Sequence, residues 1–138
     1  MRQLLFLLII LLVSCQKDQL GCADVNCTEE YRVITVTLVQ PDGSPVRLDS
    51  MAVVERGSGA NLLPNLSAWE EIRAQGTYPI FEDSFVQEYR NREVELEFRG
   101  YLAGQEVVSA VYVVGADCCH VRLVRGDSRI EVEVPEVP

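Results

Sequence analysis

The sequence predicts an all-β fold, a single antiparallel β-sandwich of about seven strands with one short helical crossover. Three observations carry this. Apolar and polar residues alternate with period two, most clearly over Arg92–Arg99. Turn-forming clusters such as Pro41-Asp42-Gly43-Ser44-Pro45 punctuate the chain at short intervals. Only one stretch, Leu62–Gln75, has helical character.

The elements follow in order. Glu29–Gln40 reads as a strand with Val33, Thr35, Thr37 and Val39 on one face and Ile34, Val36 and Leu38 on the other. The proline-flanked Asp42-Gly43 stops it. Val46–Arg56 resumes an extended pattern, so residues 31–56 are expected to form a hairpin or an adjacent strand pair. The Gly57–Gly59 cluster breaks that pattern and lacks the Gly-Lys-Ser/Thr of a phosphate-binding loop. In Leu62–Gln75, Ser67 is the expected N-cap with Glu70 as its partner, and Trp69 packs the crossover onto a sheet. Gly76–Phe81 suggests an edge strand, because Pro79 cannot donate to a ladder. Glu82–Asn91 is polar and expected to be a loop.

Arg92–Arg99 turns Val94, Leu96 and Phe98 inward and its charges to water. Gly100–Gly104 is the expected turn, and Glu106–Val114, apolar on both faces, the expected central strand. The next strand begins at the cysteine pair, with Cys119, Val121 and Leu123 on one face and Cys118, His120, Arg122 and Val124 on the other. Gly126-Asp127 makes the last turn, before Ile130, Val132 and Val134 alternate with Glu131 and Glu133.

The N-terminus carries a different signal. One basic residue, Arg2, precedes an unbroken apolar run from Leu4 to Val13. At ~1.5 Å per residue such a run reaches about half of a ~30 Å hydrocarbon core, so it suits a signal peptide and not a membrane span. Its ending, Leu12-Val13-Ser14-Cys15, resembles the bacterial lipobox, which implies cleavage before Cys15 and acylation, palmitate included, of that residue. Gln16-Lys17-Asp18-Gln19 resembles the export signal of Bacteroidota surface lipoproteins. The resemblance implies a lipid-anchored protein of the outer membrane facing the cell surface, the periplasmic face being the alternative. The expected organisation is a cleaved leader over 1–14, a lipidated tether and cysteine segment over 15–28, and the sandwich over 29–138.

The formal charge is −9, and removal of Arg2 with the leader makes it one unit more negative. That charge argues against nucleic acid as a partner. The membrane is expected to be met through the lipid, and the further partner to be an envelope protein or a glycan. No cofactor is expected.

Five cysteines are present, and assigning Cys15 to lipid leaves Cys22, Cys27, Cys118 and Cys119, an even number in an exported chain. Adjacent cysteines hold their Cα atoms ~3.8 Å apart, too close for an unstrained bridge. Cys118 and Cys119 are therefore expected to pair with Cys22 and Cys27, in either order. Two competing readings use the same residues: a zinc site of cysteines with His120, or a thiol activated by His120, the one histidine. Strand geometry, which sends neighbouring side chains to opposite faces, disfavours the first, and the absence of a Cys-x-x-Cys pair disfavours the second.

No catalytic residues are expected, since no Gly-x-Ser-x-Gly accompanies His120, and Glu93, Glu95 and Glu97 read as the solvated face of a strand. Asp49-Ser50-Met51 resembles the O-glycosylation sequon of exported Bacteroidota proteins, which implies modification at Ser50. Ile34–Val39 with Asp42-Gly43-Ser44-Pro45-Val46, and later Gly76-Thr77-Tyr78, resemble prealbumin-like and carboxypeptidase-regulatory-like domains. That resemblance implies a prealbumin-like sandwich, the immunoglobulin-like arrangement being the other expectation. The function expected is non-catalytic binding, adhesion or assembly at the envelope. The alternatives are a thiol-redox or metal-binding protein centred on Cys118, Cys119 and His120, and an accessory subunit for nutrient capture.

Overall fold

Two long neighbouring strands anchor the fold. The computed structural model describes residues 21–62 and 64–134. The leader over 1–14, Cys15 and the first part of the tether lie outside these residues. Strand β5 (Arg92–Leu102) pairs antiparallel with β6 (Gln105–Ala116) through a two-residue turn. Ala103 and Gly104 both have positive φ there, 48° and 76°, the turn geometry that matches the twist of a hairpin. β5 thus runs three residues past the expected stop at Arg99. Gly100 does not break it but serves packing, since a Cβ there would lie 2.6 Å from Leu48 Cδ1 and 2.7 Å from Val108 Cγ1.

The hairpin lies within a five-stranded sheet ordered β3 (Asn61–Leu62), β2 (Ser50–Glu55), β5, β6, β7 (Val121–Arg125). A three-stranded sheet, ordered β4 (Thr77–Glu82), β1 (Val33–Val39), β8 (Arg129–Glu131), packs against it. The all-β sandwich is therefore present, with eight strands among the described residues. One pair, β1 with β8, is parallel where the sequence suggested a wholly antiparallel fold. The core between the sheets includes Val36, Leu38, Tyr78, Leu96, Phe98 and Tyr112, none of them accessible to solvent. The alternation over Val94, Leu96 and Phe98 is as expected. β6 is not apolar on both faces for burial: Val108, Tyr112 and Val114 point inward, whereas Val111 on the outward face is 41% exposed.

The expected pairing of β1 with β2 does not occur. The turn at Asp42-Gly43 forms, with Gly43 at φ 84° and the Asp42 carboxylate accepting the Ser44 N–H at 2.8 Å. Beyond one bridge from Val39 to Pro45, however, the chain crosses the sandwich instead of folding back. Val46 and Leu48 are buried in that crossing, and β2 pairs with β3 and β5 in the other sheet. Tyr78 stabilises the crossing: its hydroxyl accepts the Leu48 N–H and donates to the Val46 carbonyl, both at 2.7 Å. Gly76 caps it, because a Cβ there would meet Leu38 O at 2.7 Å and Pro45 Cβ at 2.9 Å. The Gly-x-Tyr noticed in the sequence thus has a defined packing role.

Helix α1 spans Trp69–Gln75 and links the two sheets. It is shorter than expected and lacks the Ser67 cap. Ala68 stands at the N-cap without a side-chain bond, and the Ser67 N–H donates to Asn65 Oδ1 at 2.9 Å in a preceding turn. Trp69 packs on Tyr78 with ring centroids 5.8 Å apart, as a crossover aromatic would. Pro79 lies in β4, an edge strand, as expected. Glu82–Asn91 is not a plain loop. A 3₁₀ turn over Asp83–Phe85 leads into the short helix α2 (Val86–Tyr89). Phe81, Phe85 and Tyr89 recur every four residues and pack together: Phe85 stacks on Phe81 and Tyr89 meets it edge-on, each with its ring centroid 5.3 Å from that of Phe81.

Candidate functional site

One end of the sandwich gathers Cys22, Cys27, Cys118, Cys119 and His120. The β6–β7 connection, residues 117–120, is a turn and not the start of a strand. Asp117 Oδ1 accepts the N–H groups of Cys119 and His120 at 2.7 and 2.8 Å, and the Asp117 N–H donates to the His120 carbonyl at 3.0 Å. This corrects the face assignment: Cys118 and Cys119 do not alternate across a sheet, and His120 is buried while Arg122 is exposed. A turn can present both cysteines to the same neighbour. That neighbour is the N-terminal segment, and the bridges are Cys22–Cys118 and Cys27–Cys119, with Cα separations of 5.5 and 5.3 Å. The connectivity left open by the sequence is thereby assigned.

His120 is held on both ring nitrogens. Nδ1 lies 2.7 Å from Asp83 Oδ2, and Nε2 lies 2.8 Å from Thr28 Oγ1. Asp83 also accepts the Arg32 N–H on Oδ2 at 2.9 Å and the Val121 N–H on Oδ1 at 2.8 Å. Only 9% and 8% of the His120 and Asp83 side chains are accessible. With Asp83 ionised, Nδ1–H donates to it, leaving Nε2 to accept the Thr28 hydroxyl; that hydroxyl can equally accept from a doubly protonated ring.

Burial pushes the Asp83 carboxyl up, but the His120 ring and the two backbone N–H groups outweigh it and hold the group below its ordinary value. Asp117 is lowered chiefly by the His120 and Cys119 N–H groups. A carboxyl lowered on folding contributes stability that is complete above its unfolded pKa and disappears as pH falls through the folded one. Stability is therefore expected to fall below about pH 4. In Asp83→Asn that acid limb should be shallower, which urea titrations at a series of pH values measure.

Hydroxyl, imidazole and carboxylate stand in the order of a nucleophilic triad. Sequence reasoning found His120 but neither partner, because Thr28 and Asp83 lie 92 and 37 positions away. A cleft of about 600 Å³ away from this cluster is lined by Glu55, Arg56, Arg92, Glu93 and Glu95, and others of about 330 and 210 Å³ lie at Pro41 and at Leu62. Through the His120 cluster three separate segments, the N-terminal one, the end of β4 and the β6–β7 turn, converge on one ring.

No family model, curated protein or solved structure matches this chain. Among the described residues, no group of three or more His, Cys, Asp or Glu side chains is placed to hold a metal ion, and the four cysteines are occupied by each other. Glu93, Glu95 and Glu97 on the outward face of β5 are matched by arginines, with Arg122–Glu93 at 2.6 Å, Arg56–Glu95 at 3.2 Å and Arg99–Glu97 at 2.8 Å. Exposed pairs of this kind contribute about 0–1 kcal/mol each. Ser50 opens β2 at the surface, opposite Tyr101, and the neighbouring Asp49 accepts the Ala103 N–H at 2.7 Å.

Proposed function

We propose that this chain is a Bacteroidota-type outer-membrane lipoprotein whose prealbumin-like sandwich is a non-catalytic module for binding, adhesion or assembly with an envelope protein or glycan. The observation that carries the reading is how its five cysteines divide. Four are consumed in two bridges, which suits an oxidising compartment. The odd one, Cys15, stands where the apolar run ends, the position of an acylated cysteine. Acyl chains there would provide the stable membrane attachment that a single weak contact cannot.

The His120 cluster fits the same reading. A module tethered at its N-terminus is loaded through its N-terminal segment, and Cys22, Cys27 and Thr28 of that segment are fastened to the body. The test is fractionation with intact mass measurement: wild type is expected in the membrane fraction with an acylated N-terminal cysteine, and Cys15→Ala in the soluble fraction without one. An unacylated wild type in the soluble fraction would refute the anchor. Counting thiols on the unreduced protein separates this reading from a thiol or metal protein, with none expected here and two or more there. Ser50 is the proposed glycosylation site of the exported chain. Its peptide should carry a glycan mass increment that Ser50→Ala abolishes.

A further inference from the structure

Residues 21–32 lie outside the sandwich proper. None belongs to the core cluster, and every residue from Ala23 to Val33 is exposed. Among the described residues, their ties to the body are few and concentrated. Two are the disulfides. One is the Thr28 hydroxyl on His120 Nε2. Asn91 Nδ2 lies 3.8 Å from the Cys22 sulfur, and at Arg32 the N–H donates to Asp83 Oδ2 at 2.9 Å while the carbonyl accepts the Asp83 N–H at 3.0 Å. Sulfur thus supplies most of what holds this segment, and Thr28 sits against an imidazole that is only 7% exposed.

We propose that residues 21–32 are a thiol-releasable strap: reduction of Cys22–Cys118 and Cys27–Cys119 frees the segment as far as the Arg32–Asp83 bonds, uncovers His120 and lengthens the N-terminal connection while the sandwich stays folded. The proposal stands whether or not Cys15 carries lipid. The co-reactant is a dithiol reductant. Its thiolate attacks Cys27 Sγ, the sulfur of the one exposed half-cystine residue, and forms a mixed disulfide as Cys119 leaves as thiolate and takes up a proton. The second thiol of the reductant then displaces Cys27, so that two electrons and two protons pass to the protein and the reductant leaves as a disulfide. Cys22–Cys118 follows by the same steps. Once free, the ten residue-to-residue steps from Cys22 to Arg32 can extend to about 35 Å at ~3.3–3.6 Å each. Thr28, one residue from Cys27, would leave Nε2 open to solvent, whereas Nδ1 would keep Asp83.

The experiment uses the lone histidine as its own reporter. The rate of His120 carbethoxylation by diethyl pyrocarbonate is measured by mass spectrometry with and without dithiothreitol, alongside amide hydrogen exchange of β5 and β6. Reduction is expected to speed His120 modification about tenfold or more while β5 and β6 amides keep their protection, the pattern of local opening. An unchanged rate would mean that the strap stays in place without its bridges. Loss of β5 and β6 protection would mean that the sandwich unfolds with it. Either overturns the proposal. Unreduced variants locate the latch: with Cys22→Ala and Cys118→Ala, the remaining Cys27–Cys119 bridge should keep His120 slow, whereas Cys27→Ala with Cys119→Ala should release it. The opposite order would also overturn it.

Discussion

Removing both disulfides is expected to cost up to about 6 kcal/mol, whereas removing either alone should cost only about 2 kcal/mol. The asymmetry follows from the topology of the bridges. They span 96 and 92 positions and run side by side between the same two segments. Whichever remains still closes the long loop, a constraint on the unfolded chain of roughly 4–5 kcal/mol in chain-entropy terms. The one removed then forfeits only the small ring that lies between the bridges. Equilibrium unfolding in urea of Cys22→Ala/Cys118→Ala, Cys27→Ala/Cys119→Ala and the fourfold variant measures all three. A fourfold loss equal to the sum of the two pairwise losses would show that the bridges constrain independent loops. Because the strap contributes nothing to the apolar core, the fourfold variant should unfold earlier but with its native-state β5–β6 packing intact.

Most of the sandwich was legible because its signals are local. Val94, Leu96 and Phe98 alternate with charges over a strand that alternation alone can place, and Asp42-Gly43 makes a turn whose chemistry lies in four residues. What was not legible depends on partners far along the chain. β1 and β2 look like a hairpin because nothing local distinguishes a strand that folds back from one that crosses. The crossing is decided by Tyr78, thirty positions beyond Leu48. Gly100 looks like a turn residue because close packing against Leu48 and Val108 leaves no trace in its neighbours.

The helix after β4 was missed for a different reason. Phe81, Phe85 and Tyr89 are spaced four apart, but only Tyr89 lies in the helix, and a four-residue helix among polar residues is too short to show a period. At the candidate site, cysteine arithmetic found the two segments that meet and could not find how. A pair of cysteines in a turn reaches one neighbour, which a pair in a strand cannot, and the turn itself is made by Asp117. The histidine was visible as a residue type. Its enclosure by Thr28 and Asp83 exists only once the strap and the end of β4 have come together.

Tyr78→Phe is expected to destabilise the fold by about 2–4 kcal/mol, although it removes a single oxygen. The ring would remain, with its packing on Trp69 and Phe98, so no cavity of consequence opens. What is lost is the partner of two backbone groups at once. The Leu48 N–H and the Val46 carbonyl lie on the segment that passes from one sheet to the other, where neither is paired in a ladder with the other, and both residues are buried. Removing the hydroxyl leaves a donor and an acceptor unsatisfied away from water, at ~1–3 kcal/mol for each such group. Tyr112→Phe is the matched control. Its hydroxyl donates only to the Asp127 carbonyl, in a part-buried turn where water can substitute, so the loss should be about 1 kcal/mol. Urea unfolding of the two variants side by side tests the assignment. Equal losses would mean that the crossing segment draws its stability from Val46 and Leu48 burial alone, and that Tyr78 acts there as a ring and not as a hydrogen-bonding group.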